Sequence, residues 1–177
     1  MNNFGKLEIG PGPKKISPEW TTIGDFGSAV DRRCVWGKDA IPFEDNTFDE
    51  IYSSHCLEHV PWMQVDYALL ECFRVLKPCG SIEIHVPDFE YLVKCYLERK
   101  VGDSWLKYNN TDSSTKWVAS RVFSYGPDFS NFHKSCFDFE ELSRVLKRAG
   151  FSETERVSES LADRLHGKIN LGIKGLK

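Results

Sequence analysis

Two histidines and a glutamate fall within five residues, His55-Cys56-Leu57-Glu58-His59, and Asp88 and His133 follow further along the chain. Histidine changes charge near neutral pH and a carboxylate can pair with it, so the set could take a proton from a reacting hydroxyl. His55 and His59 lie four apart and share one face if a helix starts there. His59 is the candidate base, with His133 and Glu58 beside it. A hydrogen-bonded structural role is the alternative for each histidine, and a helix-dipole role for Glu58.

A second group has no reactive side chains. Leu7-Glu8-Ile9 alternates and runs into Gly10-Pro11-Gly12-Pro13, which reads as a buried first strand ending in a turn with little bulk. Glycine lets a ligand approach the main chain, and open α/β sheets bind ligands beyond the carboxyl ends of their strands. Trp20 to Asp25 reads as a second strand ending in a carboxylate, fifteen residues past Gly10. A carboxylate there can accept from both ribose hydroxyls; a turn or N-cap aspartate is the alternative.

Elements must position these groups. Cys34-Val35-Trp36 reads as a short third strand and Phe48 to Ser54 as a fourth. An amphipathic helix is predicted from Val65 to Leu76, closed by turn chemistry at Lys77-Pro78-Cys79-Gly80. Pro78 can start a type I turn there that needs no positive φ at Cys79. Ser81 to Val86 alternates as a fifth strand, and a short helix follows near Phe89 to Leu97. Asp138 caps a helix that Gly150 closes, and two last strands begin near Phe151 and Ile169. About ten residues separate the first two strands, fewer than a parallel crossover normally uses, so the first crossover helix must be one turn or absent.

Residues 101–135 are read as an insertion or lid facing the acceptor. A polar run, Asn109 to Ser114, sits among Trp105, Tyr108, Trp117, Phe123, Tyr125, Phe129 and Phe132. An aromatic satellite core or subunit contact is the alternative.

Strands alternating with helices argue for a doubly wound sheet. Here the chain resembles the class I S-adenosylmethionine (SAM)-dependent methyltransferases, in their small methyltransferase type 11-like branch. Leu7 to Gly12 is similar to the E-x-G-x-G loop, and Asp39-Ala40-Ile41-Pro42-Phe43 followed by Asn46-Thr47-Phe48-Asp49 to the D-A-x-x-L-P-F…D-x-x-F-D segment. Ser53 to His59 resembles the post-strand motif ending L-E-H, and Arg74 to Gly80 resembles R-V-L-K-P-G-G. His133 to Phe151 is similar to the closing H…F…E-L…L…A-G-F segment.

The resemblance implies a Rossmann-like, mostly parallel seven-stranded α/β sheet, a single domain over 1–177, and SAM as cofactor. It places Glu8, Ile9, Gly10, Pro11 and Gly12 around the methionine part, Asp25 at the ribose, Asp39 and Ala40 at the adenine, and Ser54 and His55 beneath the methionine. The expected reaction is methyl transfer to a small-molecule or saccharide-type acceptor. A catalytically silent SAM-fold accessory or partner-binding protein is the alternative. The third glycine of the dinucleotide fingerprint is missing, which counts against a nicotinamide-dependent oxidoreductase. A short first crossover would thin the wall over the cofactor, and a second subunit or residues 101–135 would have to cover it.

His55 to His59 also matches H-x-x-E-H of inverted zinc peptidases. The pentapeptide directly follows an apolar strand in a nucleotide-type layout, and no metal-ligand set is assigned. The six cysteines contain no C-x-x-C pair, which argues for buried thiols in a reducing compartment and a cytoplasmic protein. A net charge of −3 gives no bulk attraction to nucleic acid or an anionic membrane. No apolar run approaches a membrane span, and the first strand starts too early to leave room for a signal peptide.

Overall fold

The computed structural model describes residues 5–100, 113–123, 131–158 and 167–177. Seven strands form one sheet: β1 (Lys6–Ile9), β2 (Thr21–Gly24), β3 (Arg32–Arg33), β4 (Phe48–Ser54), β5 (Leu76–Pro87), β6 (Ser152–Val157) and β7 (Asn170–Leu176). Their order is β3-β2-β1-β4-β5-β7-β6, parallel except for β7, which runs against both neighbours. The helices are α1 (Val65–Val75), α2 (Phe89–Leu97), α3 (Ser114–Val122) and α4 (Phe139–Arg148). This is the expected Rossmann-like sheet.

β1 lies inside the sheet, between β2 and β4, because it can be buried on both faces. Leu7 and Ile9 are in the core, and Glu8 between them is buried as well, its Oε2 accepting from Ile16 N at 3.0 Å. That bond ties the β1–β2 connection to the strand beneath it. Burial pushes the Glu8 carboxyl up, partly offset by the Ile16 bond and Lys15. Residues 10–20 contain no helix, as the short spacing required. On α1, Val65, Ala68, Leu69, Cys72 and Val75 form the buried stripe. Asp138 caps α4 by accepting from Glu141 N at 2.8 Å, and Gly150 closes that helix at φ 107°.

Two local expectations are corrected. The third strand is Arg32–Arg33, not Cys34–Trp36. Lys38 N and Asp39 N both donate to Val35 O, so the chain turns where the strand was expected, and Cys34 and Trp36 enter the core from a loop. Residues 77–80 do make a break, but inside β5, as a bulge between paired Leu76 and Ser81. Cys79 there adopts φ 65°, the left-handed region, rather than a type I conformation.

Of residues 101–135, α3 packs on α2, and its Trp117 is fully buried with Leu92, Cys95 and Ile169. Within α3, then, the described side chains add to a small second core. Residues 131–135 run instead to the carboxyl end of β4. Trp105, Tyr108, Tyr125, Phe129 and the polar run 109–112 lie outside the described residues.

Candidate active site

The chain leaves β4 through a strained residue. His55 has φ 49°, uncommon for a side chain with a Cβ, while its N–H donates to His85 O and prolongs the β4–β5 ladder. Cys56 then turns back against the glycine turn. A Cβ built on Gly10, itself at φ 74°, would lie 2.7 Å from Cys56 Sγ, so only glycine fits there. Burial pushes the Cys56 thiol up to about 12, leaving it a packing group. Leu57–His59 forms a single 3-10 turn.

The segment carrying His133 is laced onto that turn. Lys134 N and Ser135 N both donate to Glu58 O, and Ser135 Oγ donates to Leu57 O and Val60 O. The result sets His133 against His59, ring centroids 4.9 Å apart and edge to face. Each ring is oriented by a main-chain carbonyl: His133 Nδ1 to Arg121 O at 2.9 Å and His59 Nδ1 to Phe132 O at 3.3 Å. Carbonyls only accept, so Nδ1 carries a proton on both rings, and in the neutral form of each ring Nε2 holds the lone pair.

Glu58 lies beneath them, 1% exposed, with Oε1 3.2 Å from His55 Nδ1 and Oε2 without a partner among the described residues. Burial alone would raise its carboxyl, but the His55 hydrogen bond and the nearby rings hold it below the usual carboxylate range. Burial lowers His133 below the ordinary imidazole value, against the pull of Glu58. The three residues form a cluster with ligand-capable atoms within 4.8 Å of one another. A cavity lined by Glu58, Arg121, His133, Cys136 and Phe137 opens beside it.

Through its other nitrogen His55 joins a second network. Its Nε2 lies 3.2 Å from Asn170 Oδ1, Asn170 Nδ2 donates to His85 Nδ1 at 2.8 Å, and His85 Nε2 donates to Glu83 at 2.7 Å. Sequence reasoning missed Asn170, His85 and Glu83 because β7 meets β5 only through the sheet. Gly172 was the one signal: a Cβ there would lie 2.5 Å from His85 Cε1. The zinc-peptidase arrangement is absent from this site. His55 stands outside the helical turn, and Glu58 sits among the ring nitrogens rather than as a base between two histidine ligands.

The cofactor residues predicted from sequence are more dispersed. At Gly12, φ 61°, an added Cβ would meet nothing within 4 Å, so bare main chain faces open space at the end of β1. That fits a ligand lying against the turn, and Pro11 packs nearby on Gly24. Asp25 stands just past β2, ion-paired with Arg33 at 3.4 Å. Asp39 turns its Oδ2 to Val35 N at 2.8 Å, and Ala40 beside it is exposed. Ser54 pairs with His85 at the carboxyl end of β4. Asp88 is a cap, accepting from Tyr91 N at 3.1 Å to start α2.

Residues 7–84 match a methyltransferase domain family. The ubiquinone/menaquinone biosynthesis C-methyltransferase UbiE of Pseudoalteromonas translucida is 31% identical over 121 residues, 66% of this chain and 43% of that protein. UbiE of Vibrio vulnificus is 34% identical over 123 residues, 64% of this chain and 41% of the relative. The chain thus spans less than half the length of these curated relatives. A SAM-dependent methyltransferase from Archaeoglobus fulgidus superposes with a TM-score of 0.62 at 13% identity, covering 99% of this chain and 87% of that one, which establishes the shared fold. A glycine turn open at the end of β1, the sheet order and the domain match agree: residues 7–84 are similar to a methyltransferase domain, and the chain has the fold of the SAM-dependent methyltransferases.

Proposed function

We propose that this chain transfers a methyl group from SAM to a small-molecule acceptor. The observation that carries the reading is adjacency: Cys56 packs on Gly10 of the open turn, and two residues later the chain presents Glu58 and His59, with His133 facing them. When bound, SAM supplies a methyl on a positively charged sulfur, open to in-line displacement.

In this reading the main chain of Gly10 to Gly12, with Glu8, Ile9 and Pro11 shaping it, borders the methionine part. Asp25 accepts from the ribose, Asp39 and the Ala40 backbone meet the adenine, and Ser54 and His55 floor the site. His59 Nε2 takes the acceptor's proton, Glu58 stabilises the imidazolium so formed, and His133 positions the acceptor oxygen. Such proton transfer contributes about 10²–10⁴-fold to rate. The relatives' names favour a small-molecule acceptor. A saccharide is the narrower proposal, for which the hydroxyl-directed base is the support. Residues 101–135 would cover the acceptor as a lid, and a second copy of the chain could close the thin wall left by the helix-free 10–20 connection. The free thiols favour a reducing, cytoplasmic setting.

A second reading, a silent SAM-fold accessory, is favoured by the present engagement of both acidic side chains, Asp25 by Arg33 and Asp39 by Val35 N. Titration calorimetry separates the two. Heat with SAM and S-adenosylhomocysteine but not NAD is expected, with Asp39→Ala removing most of the affinity, together with turnover of an acceptor panel. No heat at millimolar SAM with folded protein overturns the enzymatic reading.

A further inference from the structure

The Glu58–His59–His133 cluster has a property that base catalysis does not require. Both imidazoles donate through Nδ1 to fixed carbonyl oxygens, which aims both Nε2 lone pairs away from the backbone. Glu58 has one oxygen held by His55 and the other buried without a partner among the described residues. A buried polar atom in that state calls for an explanation, and a cation is one. Imidazoles oriented by a hydrogen bond at the far nitrogen, and a carboxylate oriented by a neighbour, are how proteins set metal ligands.

We propose that Glu58 Oε2, His59 Nε2 and His133 Nε2 bind a divalent transition metal, of the zinc or cobalt class, with at least one position left open. One ligand-capable atom from each of the three residues lies within 4.8 Å of the other two. Around an ion with bonds of about 2.0–2.2 Å they would stand about 3.4 Å apart, so the cluster closes by up to about 1.4 Å through ring and carboxylate rotation. Two imidazoles and one carboxylate suit zinc, cobalt or iron. Magnesium and calcium are disfavoured, because they take oxygen ligands in larger number, and the single carboxylate already faces His55 while Arg121 lines the same cavity. Three protein ligands leave room for water or an acceptor oxygen.

His59 Nε2 cannot hold a metal and a proton together. An ion there replaces base catalysis with Lewis-acid activation of an acceptor hydroxyl, whose proton leaves to solvent. That consequence rests on the methyl-transfer reading; the binding itself does not.

The full chain, stripped with a chelator, is titrated with Zn²⁺ by calorimetry and with Co²⁺ by visible absorption. One equivalent per chain is expected, with cobalt d–d bands and no thiolate charge-transfer band. His59→Gln and His133→Gln should each weaken binding about tenfold or more, while Cys136→Ser leaves it unchanged. Absence of binding, binding that survives both histidine variants, or a thiolate spectrum overturns the proposal. Should either variant not fold, the cobalt spectrum of the unaltered chain decides. SAM titrated in chelator is read separately. Heat with SAM and no metal binding removes this site alone, and the converse removes only the methyl-transfer reading.

Discussion

Two polar networks lie under the same sheet, and they differ in how completely they are satisfied. Around Arg74, at the end of α1, the guanidinium donates to Ile41 O, Phe43 O, Glu71 and Asp45, and Glu71 in turn accepts from Ile41 N. Hydrogen bonding to Glu71 raises the Arg74 pKa still further, so the charge is permanent. Around Glu58, by contrast, one buried carboxylate oxygen is left without a partner among the described residues. The first network has every group accounted for and pins a loop to a helix. The second holds unpaired capacity in a low-dielectric place, which is costly for stability and useful only for binding or proton transfer. Both sit in motifs that resemble the methyltransferase family, and the proposed function draws only on the second.

The contrast can be broken most decisively at His59. His59→Ala should lower methyl transfer about 10²–10⁴-fold, about 3–5 kcal/mol of transition-state stabilisation, while the unfolding midpoint barely moves. A stability loss with unchanged turnover would make the cluster structural. Arg74→Ala should act the opposite way, costing about 2–4 kcal/mol in denaturant unfolding because it strands two carbonyls and the Glu71 carboxylate.

Smaller effects sharpen the same line between structural and functional groups. Cys79→Gly should stabilise by about 1 kcal/mol, since the left-handed φ of 65° favours glycine. An unchanged or lower midpoint would mean the thiol makes a compensating contact. The least effect is a pH dependence at Asp31. Lys15 and Thr22 hold its carboxyl below the ordinary value, Lys15 contributing most. The unfolded chain therefore binds the proton more readily, and this contribution is present above about pH 4 and fades as pH falls through the folded-state value. Asp31→Asn should flatten that acid limb only slightly, because the pair is partly solvated.

Much of the architecture was legible in the chain. The β4 limits, α1, the Asp138 cap and the helix-free first crossover follow from period, capping and spacing, all local properties. The third strand was misplaced because Cys34 and Trp36 look like strand residues, whereas a turn at Val35 and Asp39 decided otherwise. Half of the candidate site was legible too. His55, Glu58 and His59 are contiguous, so their proximity needs no fold. His133 could be named as a candidate, but its place beside His59 could not be read from the sequence, and Asn170 and His85 were not suspected at all.

What the sequence determined by itself is therefore the set of elements and the kinds of chemistry available, since both depend on near neighbours. What only tertiary structure decided is which histidine faces which partner. Hydrogen bonds from residues 134 and 135 to Glu58 O carry His133 onto His59, while the β5–β7 pairing carries Asn170 onto His55. The orientation of the His59 ring depends on a carbonyl 73 positions away, and no local pattern encodes it.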